Sequence, residues 1–81
     1  MHVVAIHSIS DPAAFWSGGM DLPKGTELSV VVPSADGTQG VCIFTSDSVD
    51  TVRTLVDGAT SKVARNEFYA INEDGAQGLP A

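Results

Sequence analysis

The stretch that most constrains the fold is HVVAIHSI, residues 2–9. It is rich in Val and Ile, which favour β-strands, and its apolar residues do not alternate with polar ones as in a strand with one face in water. A strand of this composition must be buried on both of its faces. A chain of 81 residues hides only a modest share of its apolar surface when it folds alone. What covers the second face of this strand is therefore the central question.

The first strand leads directly into a short helix. Asp11 can cap a helix and Pro12 suits its first turn. The helical segment, PAAFWSGG, meets two consecutive glycines after about two turns, which is too short to be stable without docking on an apolar surface. Its two aromatic residues, Phe15 and Trp16, point in different directions, so we expect one in the core and the other at an edge or interface.

The rest of the chain contains three more strands and a second helix. TELSVVVPS and GVCIFT are predicted strands joined by a hairpin turn at Asp36-Gly37. Ser46 and Asp47 can cap a helix that ends near Gly58, with one apolar stripe made by Val49, Val52, Leu55, Val56 and Ala59. NEFYAIN is the last predicted strand, and residues 73–81 form a tail of the single domain 1–81.

This order of elements predicts an α+β fold of the ferredoxin-like βαββαβ type. Its sheet is antiparallel, with the strands in the order fourth, first, third, second. Both helices of such a fold lie on the same side of the sheet. The opposite side of the sheet receives no cover from its own chain.

Because side chains alternate across a sheet, each predicted strand divides into two sets. The first set is almost wholly apolar, and we expect it to lie under the helices: it comprises Val4, Ile6, Leu28, Val30, Val32, Val41, Ile43, Phe68 and Ala70. The second set mixes apolar and ionisable residues: Val3, Ala5, His7, Ile9, Glu27, Ser29, Val31, Cys42, Phe44, Glu67, Tyr69 and Ile71. The second set is too apolar to face water. We therefore expect a homodimer in which two sheets face each other across a shared cavity.

The predicted cavity contains a candidate reactive cluster of His7, Cys42 and Glu67. An imidazole beside a carboxylate can act as a general base or leave one nitrogen free for a metal, and a thiolate would add a soft ligand. Phe44 and Tyr69 complete the expected ligand-binding lining, and the Tyr69 hydroxyl requires a partner or a ligand. The alternative is that His7 is a hydrogen-bonded interface residue, Cys42 an inert apolar filler and Glu67 a charge at the rim.

Metal and cofactor chemistry is only loosely constrained. His2 and His7 are five residues apart, so their rings lie on opposite faces of a regular strand and should not share a metal. A divalent metal held by His7 and Glu67, completed by the second subunit or by water, is compatible with the sequence, whereas structural zinc is not indicated. The glycine-containing loops lack phosphate-binding form, so no nucleotide cofactor is indicated.

Charge and cysteine content limit the partners. Ten acidic residues against four scattered basic ones give a formal net charge of −6, which would repel nucleic acids and anionic membranes. The single Cys42 cannot form an internal disulfide and fits a reducing compartment. The longest apolar runs are too short to span a bilayer, and the N-terminus lacks the pattern of a signal peptide. These features predict a soluble cytoplasmic protein with no membrane or nucleic-acid partner.

The pattern VVAIHSISDPAAFW, a strand ending in His-x-x-x-Asp before an aromatic helix, followed by a late NEFYAI strand, resembles the small bacterial proteins of the dimeric α/β-barrel superfamily. That group includes antibiotic-biosynthesis monooxygenases, stress-responsive barrel proteins, small nickel-binding barrel proteins and many members of unknown function. The resemblance covers nearly the whole chain and implies a fold and a homodimer more than an activity. The first helix is shorter than is usual for the superfamily. The monooxygenases' catalytic set does not carry over, because no arginine falls where one would line the cavity.

Three functional hypotheses follow from these observations. The first is a homodimeric barrel protein that binds a small molecule or divalent metal in the cavity. The second is a cofactor-independent enzyme, similar to the monooxygenases or cyclases of the superfamily, with His7 as the acid/base group and Tyr69 orienting the substrate. The third is a purely structural dimerisation module whose cavity is filled by side chains.

Overall fold

The strand at residues 2–9 lies in the interior of a four-stranded antiparallel sheet. The computed structural model describes residues 1–79, and the last two residues of the predicted tail, 80 and 81, lie outside the described range. The elements are β1 (His2–Ile9), α1 (Pro12–Ser17), β2 (Glu27–Pro33), β3 (Gln39–Thr45), α2 (Val49–Thr60) and β4 (Ala64–Ala70). The strand order is β2-β3-β1-β4, which is the predicted order read from the opposite edge of the sheet. The chain is thus an α+β domain with two helices and an antiparallel sheet.

The two helices begin at side-chain caps. The Asp11 carboxylate accepts a hydrogen bond from the Ala14 backbone N–H at 3.1 Å, and α1 then stops at Gly18. Ser48 caps α2 by accepting from the Thr51 N–H at 3.0 Å. The predicted end of α2 at Gly58 is wrong by two residues. Gly58 lacks the positive φ of a typical C-terminal glycine, and the helix continues through it to Thr60.

The hairpin between β2 and β3 turns at the predicted Asp36-Gly37 pair. Gly37 has a φ of 78°, a conformation that glycine adopts without strain. The Asp36 carboxylate accepts hydrogen bonds from the side chain and backbone of Thr38 and from the hydroxyl of Ser34. These bonds favour the ionised carboxylate, the Thr38 side chain most strongly, and lower the pKa of Asp36.

The core lies between the sheet and α2. Val52 and Val56 of α2 pack on a cluster of buried strand residues formed by Val3, Ala5, Cys42 and Phe44. Met20, Val49 and Phe68 are partly buried against the same cluster. The buried stripe of α2 therefore agrees with the apolar stripe seen in the sequence. Within residues 1–79, neither helix has the length and apolar character that crossing a bilayer requires.

The predicted assignment of sheet faces is wrong for β1 and β3. The odd-numbered residues of β1 lie under the helices, where Val3, Ala5, His7 and Ile9 are buried. The even-numbered residues of β3 lie on the same side, where Cys42 and Phe44 are buried. Small residues on this face, including Ala5, Gly40 and Cys42, leave room for side chains from α1 and α2. The most apolar set of side chains is consequently not the one that the helices cover.

The two outer strands differ: the predicted faces of β4 are correct, and those of β2 are wrong in part. His7 lies opposite Asn66, so the even positions of β4 share its face, and Glu67 and Tyr69 point to the other side. A register shift between Leu28 and Val30 changes the phase of β2, which places Leu28 and Val31 on the helix side. A bulge and a strand register are long-range features that alternation within one strand does not reveal.

The face away from the helices is mainly apolar and only partly covered by residues 1–79: Val4 at its centre is 7% exposed, while other residues of the face are much more exposed. We call it the open face: its apolar residues are Val4, Ile6, Val30, Val32, Val41, Ile43 and Tyr69, and His2 and Glu67 lie on the same face. Val32 is 54% exposed, Tyr69 52% and Ile6 37%. The sequence correctly indicates one uncovered apolar face, but its residues on β1 and β3 are the opposite of those expected.

Candidate functional site

A cavity of about 310 Å³ lies between the sheet and the helices within a single chain. Its floor is formed by His7, Cys42, Leu28 and Val31 of the sheet, and its walls by Ala14, Phe15, Trp16, Gly18, Gly19, Met20, Leu22, Val56, Ala59, Thr60 and Val63. Gly19 and Leu22 are exposed, so the cavity opens to solvent beside the loop that follows α1. Its size falls at the lower end of the range seen for small-molecule sites.

The floor of the cavity carries a hydrogen-bonded pair of reactive side chains. Cys42 on β3 and His7 on β1 lie two residues apart in register on the same face of neighbouring strands. The Cys42 Sγ atom is 3.2 Å from His7 Nε2. His7 is only 2% exposed and Cys42 only 5%. The cavity is thus the route by which a small molecule can reach this pair.

Asn66 on β4 holds the other side of the imidazole. Its Oδ1 atom is 2.6 Å from His7 Nδ1. Its Nδ2 atom donates to Asp57 Oδ1 and to Thr60 Oγ1, each at 2.9 Å. The Thr60 hydroxyl donates onward to the Val56 carbonyl. Every side-chain polar atom named in this series of hydrogen bonds therefore has a partner, as buried polar groups require.

These contacts define the hydrogen positions on His7. Because the Asn66 amide nitrogen donates to Asp57 and Thr60, its oxygen faces His7 and accepts from Nδ1–H. In the neutral imidazole, Nε2 is then the acceptor, and the Cys42 S–H donates to it. The arrangement is a thiol, a base that faces it and a third group that orients the base, which is the general geometry of an activated nucleophile.

Burial keeps Cys42 in the thiol form at neutral pH. Desolvation disfavours the thiolate and raises the pKa of Cys42 to about 11. The thiol is therefore not a preformed anion. It can lose its proton at neutral pH only if a base takes it, and His7 Nε2 is the atom in position to do so.

Two aromatic rings of α1 form one wall of the site. The Phe15 ring lies 5.0 Å from the His7 ring between centroids, and the Trp16 ring packs edge-on against Phe15 at 4.7 Å. The Trp16 indole N–H donates to the Gly37 carbonyl at 2.9 Å. Both rings are half-buried against the sheet, whereas the sequence predicted one ring in the core and the other at an edge or interface. The bond from Trp16 to Gly37 joins α1 to the hairpin between β2 and β3.

The residues predicted to form one site are divided by the structure. His7 and Cys42 meet in the cavity, and Phe44 lies in the core below α2 without lining the cavity. Glu67 and Tyr69 lie on the open face, on the far side of the sheet from the imidazole. The predicted cluster of His7, Cys42 and Glu67 is therefore wrong in its third member. The group beside His7 is Asn66.

The same geometry bears on the metal hypothesis. His7 and Glu67 cannot hold one ion from opposite faces of the sheet, and both ring nitrogens of His7 already have protein partners. Within residues 1–79, no three His, Cys, Asp or Glu side chains are grouped as metal ligands would be. His2 lies on the open face, as its odd separation from His7 predicts, and pairs with Glu73.

Sequence reasoning missed Asn66, Phe15 and Trp16 as components of the site. Asn66 has the parity of Phe68, and correct pairing of β4 with β1 would have placed it beside His7. The aromatic pair was identified as needing an apolar surface, but the sequence does not say which sheet face supplies it. No family model, curated protein or solved structure matches the chain. The site must therefore be interpreted from its own geometry.

Proposed function

We propose that this protein binds a small, neutral, largely apolar molecule in the cavity between its helices and its sheet. The observation that carries the proposal is the cavity itself, an apolar space of about 310 Å³ with a thiol and an imidazole at its floor. Small-molecule sites typically have this form, a mostly apolar lining with a few polar groups that fix orientation. The cavity lies within each chain, whereas the sequence predicted it between two sheets.

The lining argues for a neutral ligand. None of the side chains around the cavity in residues 1–79 is Asp, Glu, Lys or Arg. A carboxylate or phosphate would lose its hydration without gaining an ionic partner, which is costly. An apolar ring or short chain with one carbonyl group meets no such penalty. Phe15 and Trp16 offer it an aromatic wall.

The open face supports homodimerisation as part of the same proposal. Four strands spaced about 4.8 Å apart, with about 3.4 Å per residue, give a face of roughly 19 Å by 24 Å. Two such faces in contact would bury on the order of 1,000 Å², which is near the lower limit for a specific interface. A second copy of the chain supplies the same apolar surface, so a twofold pairing is self-complementary.

Such a dimer would have the facing sheets of a dimeric α/β barrel built from ferredoxin-like protomers. The resemblance of the sequence to that superfamily is in keeping with this arrangement. A buried, unpaired thiol at Cys42 suits a reducing compartment, so the proposal places the protein in the cytoplasm. The purely structural role becomes the outcome to be excluded, because a cavity that admits no ligand would leave only dimerisation.

NMR titration with cyclohexanone tests the binding proposal. Trp16 is the single tryptophan and lines the cavity, so its indole N–H gives one assignable reporter peak. We expect saturable shifts of this peak with a Kd on the order of 1 mM, as suits a ligand of few atoms.

A matched pair of variants locates that binding. Ala59→Leu fills the wall of the cavity and should weaken binding about tenfold or more. Ala13→Leu makes the same change at an exposed position of α1 outside the cavity lining and should leave binding unchanged. Shifts that do not saturate, or that are equal in both variants, would contradict the proposal.

A further inference from the structure

The residues at the floor of the cavity have an arrangement that simple binding does not require. A ligand could be held by the aromatic and aliphatic walls alone. The structure nevertheless places a thiol, an imidazole and an amide in one line, with distances of 3.2 Å from Cys42 Sγ to His7 Nε2 and 2.6 Å from His7 Nδ1 to Asn66 Oδ1. Asp57 and Thr60 fix the amide in turn. The imidazole is thus fixed in both tautomer and direction.

We propose that Cys42 is a nucleophile, activated by His7 and positioned by Asn66, that adds to small, neutral α,β-unsaturated carbonyl compounds bound in the cavity. This inference rests on the proposed function, since it names the class of molecule that the cavity takes. Cys42 and His7 would be the catalytic residues, and Asn66, which does not line the cavity, a positioning residue.

The reaction balances without any further reactant. His7 Nε2 takes the proton from the Cys42 thiol as Sγ attacks the β-carbon of the substrate. The new S–C bond uses the sulfur electron pair, and the electrons of the C=C bond move onto the α-carbon and its carbonyl. His7 then returns the proton to the α-carbon. The product is a thioether on Cys42, with no leaving group and no change of total atoms.

Addition to a C=C bond fits the site better than acyl transfer does. Acyl transfer develops a full oxyanion and depends strongly on hydrogen-bond donors aimed at it. Cys42 lies on β3, which pairs with β1 on one side and β2 on the other. The backbone amides around Cys42 are therefore engaged in the hydrogen bonds of the sheet and are not aimed at a bound oxyanion. Conjugate addition spreads the charge over three atoms and requires fewer aimed donors. Among residues 1–79 the cavity lining holds no charged side chain, which also favours a neutral substrate.

The test compares cyclohexenone with cyclohexanone, which differ by the reactive double bond. Intact-protein mass spectrometry at pH 7 should show one cyclohexenone added to the wild type, mapped to Cys42 by peptide analysis, and no adduct with cyclohexanone. Cys42→Ala should form no adduct. A buried thiol with a pKa near 11 has very little thiolate at pH 7, so without help from His7 it would react far more slowly than glutathione. We expect it to react faster than glutathione.

Variants of His7 and Asn66 test whether these residues activate the Cys42 thiol or whether the thiol reacts on its own. His7→Gln should slow adduct formation about a hundredfold, the usual scale of a lost general base. Because loss of a buried ring can unfold the domain, Asn66→Ala is the second variant, and we expect it to slow addition about tenfold. Asn66→Asp combined with Asp57→Asn keeps an oxygen facing Nδ1 and exchanges the donor and acceptor of the Asn66–Asp57 hydrogen bond, so it should restore most of the rate. It should also move the pH at which the rate levels off, which a merely structural role for Asn66 would not do.

The outcomes distinguish this inference from the proposed function. Saturable binding of cyclohexanone without any cyclohexenone adduct would overturn the nucleophile and leave the binding proposal standing. Failure of both ketones to bind would overturn both. Adduct formation at equal rates in the wild type, His7→Gln and Asn66→Ala would show that Cys42 reacts as an ordinary thiol and would also overturn the inference.

Discussion

Folding changes the ionisation of the Cys42 thiol, because burial on the helix side of the sheet raises its pKa to about 11. In the unfolded chain the same thiol ionises with a pKa of about 8.5. The raised value means that the folded state disfavours the thiolate. Stability linked to this group is therefore complete below the unfolded pKa and is lost as the pH rises towards 11.

The free energy of unfolding should accordingly depend on Cys42 above pH 8.5. Urea titrations of the wild type and Cys42→Ala at pH 7.5 and pH 10 measure this effect. The difference in stability between the two proteins should move in favour of Cys42→Ala at the higher pH, because only the wild type loses stability through the thiol. The other ionisable groups are the same in both proteins and cancel in the comparison. A difference that stays constant between the two pH values would contradict the assignment.

At the scale of elements, the short helix α1 is held in place by close approach to the sheet. The Trp16 ring lies directly over Gly40 of β3, where a Cβ atom would come within 2.8 Å of the ring. Moving the Trp16 ring away from Gly40 would strain or break the hydrogen bond from its indole N–H to the Gly37 carbonyl. None of the residues of α1 is fully buried, so this one contact matters greatly for its docking.

Gly40→Ala should therefore displace Trp16 and destabilise the domain by about 1–3 kcal/mol, the usual cost of overpacking. Urea unfolding followed by circular dichroism measures the loss, and the Trp16 indole N–H peak should shift as its hydrogen bond to Gly37 breaks. Gly58→Ala is the matched control, because a Cβ there meets nothing within 4 Å. It lies inside α2 and should stabilise the domain by up to about 1 kcal/mol. Equal effects of the two substitutions would show that the packing of Trp16 on Gly40 does not hold α1.

The elements were predictable from sequence because their causes are local. Asp11 and Pro12 start α1, Asp36-Gly37 makes the hairpin, and the apolar stripe of α2 is visible in its spacing. The faces of the sheet were not predictable in this way. Which side the helices cover depends on register between strands distant in sequence and on the bulge near Ser29 in β2.

The candidate site shows the same limit. His7 and Cys42 were identified correctly as neighbours, because β1 and β3 pair as expected. The predicted third partner is wrong because the predicted phase of β1 relative to β4 is off by one residue, which exchanges Asn66 for Glu67. An imidazole can lie under the helices only because Cys42 and Asn66 satisfy both of its nitrogens. That satisfaction depends on the tertiary structure and leaves no pattern within a single strand.

At the scale of the whole molecule, the open face is the feature that the single chain leaves unexplained. Val32 and Tyr69 are both more than half exposed, and the two inner strands β1 and β3 contribute Val4, Ile6, Val41 and Ile43 to the face, with Glu67 beside Ile6 on the edge strand β4. Exposed apolar surface of this extent usually marks an interaction site. A domain of this size also gains much from burying such a face, because it cannot hide enough apolar surface alone.

We therefore expect the wild type to be a dimer and Val41→Glu to be a monomer. Val41 lies on β3 in the middle of the sheet, 36% exposed on the open face, so a twofold pairing would bring two introduced carboxylates into an apolar contact. Sedimentation equilibrium measures the mass of each protein. Thr54→Glu adds the same charge at an exposed position of α2 and should leave the dimer intact. A monomeric wild type would leave the open face to another partner, whereas a dimeric Val41→Glu variant would place the dimer contact elsewhere on the molecule. Because the cavity lies on the opposite side of the sheet, the monomeric variant should still bind cyclohexanone, which separates assembly from ligand binding in one protein.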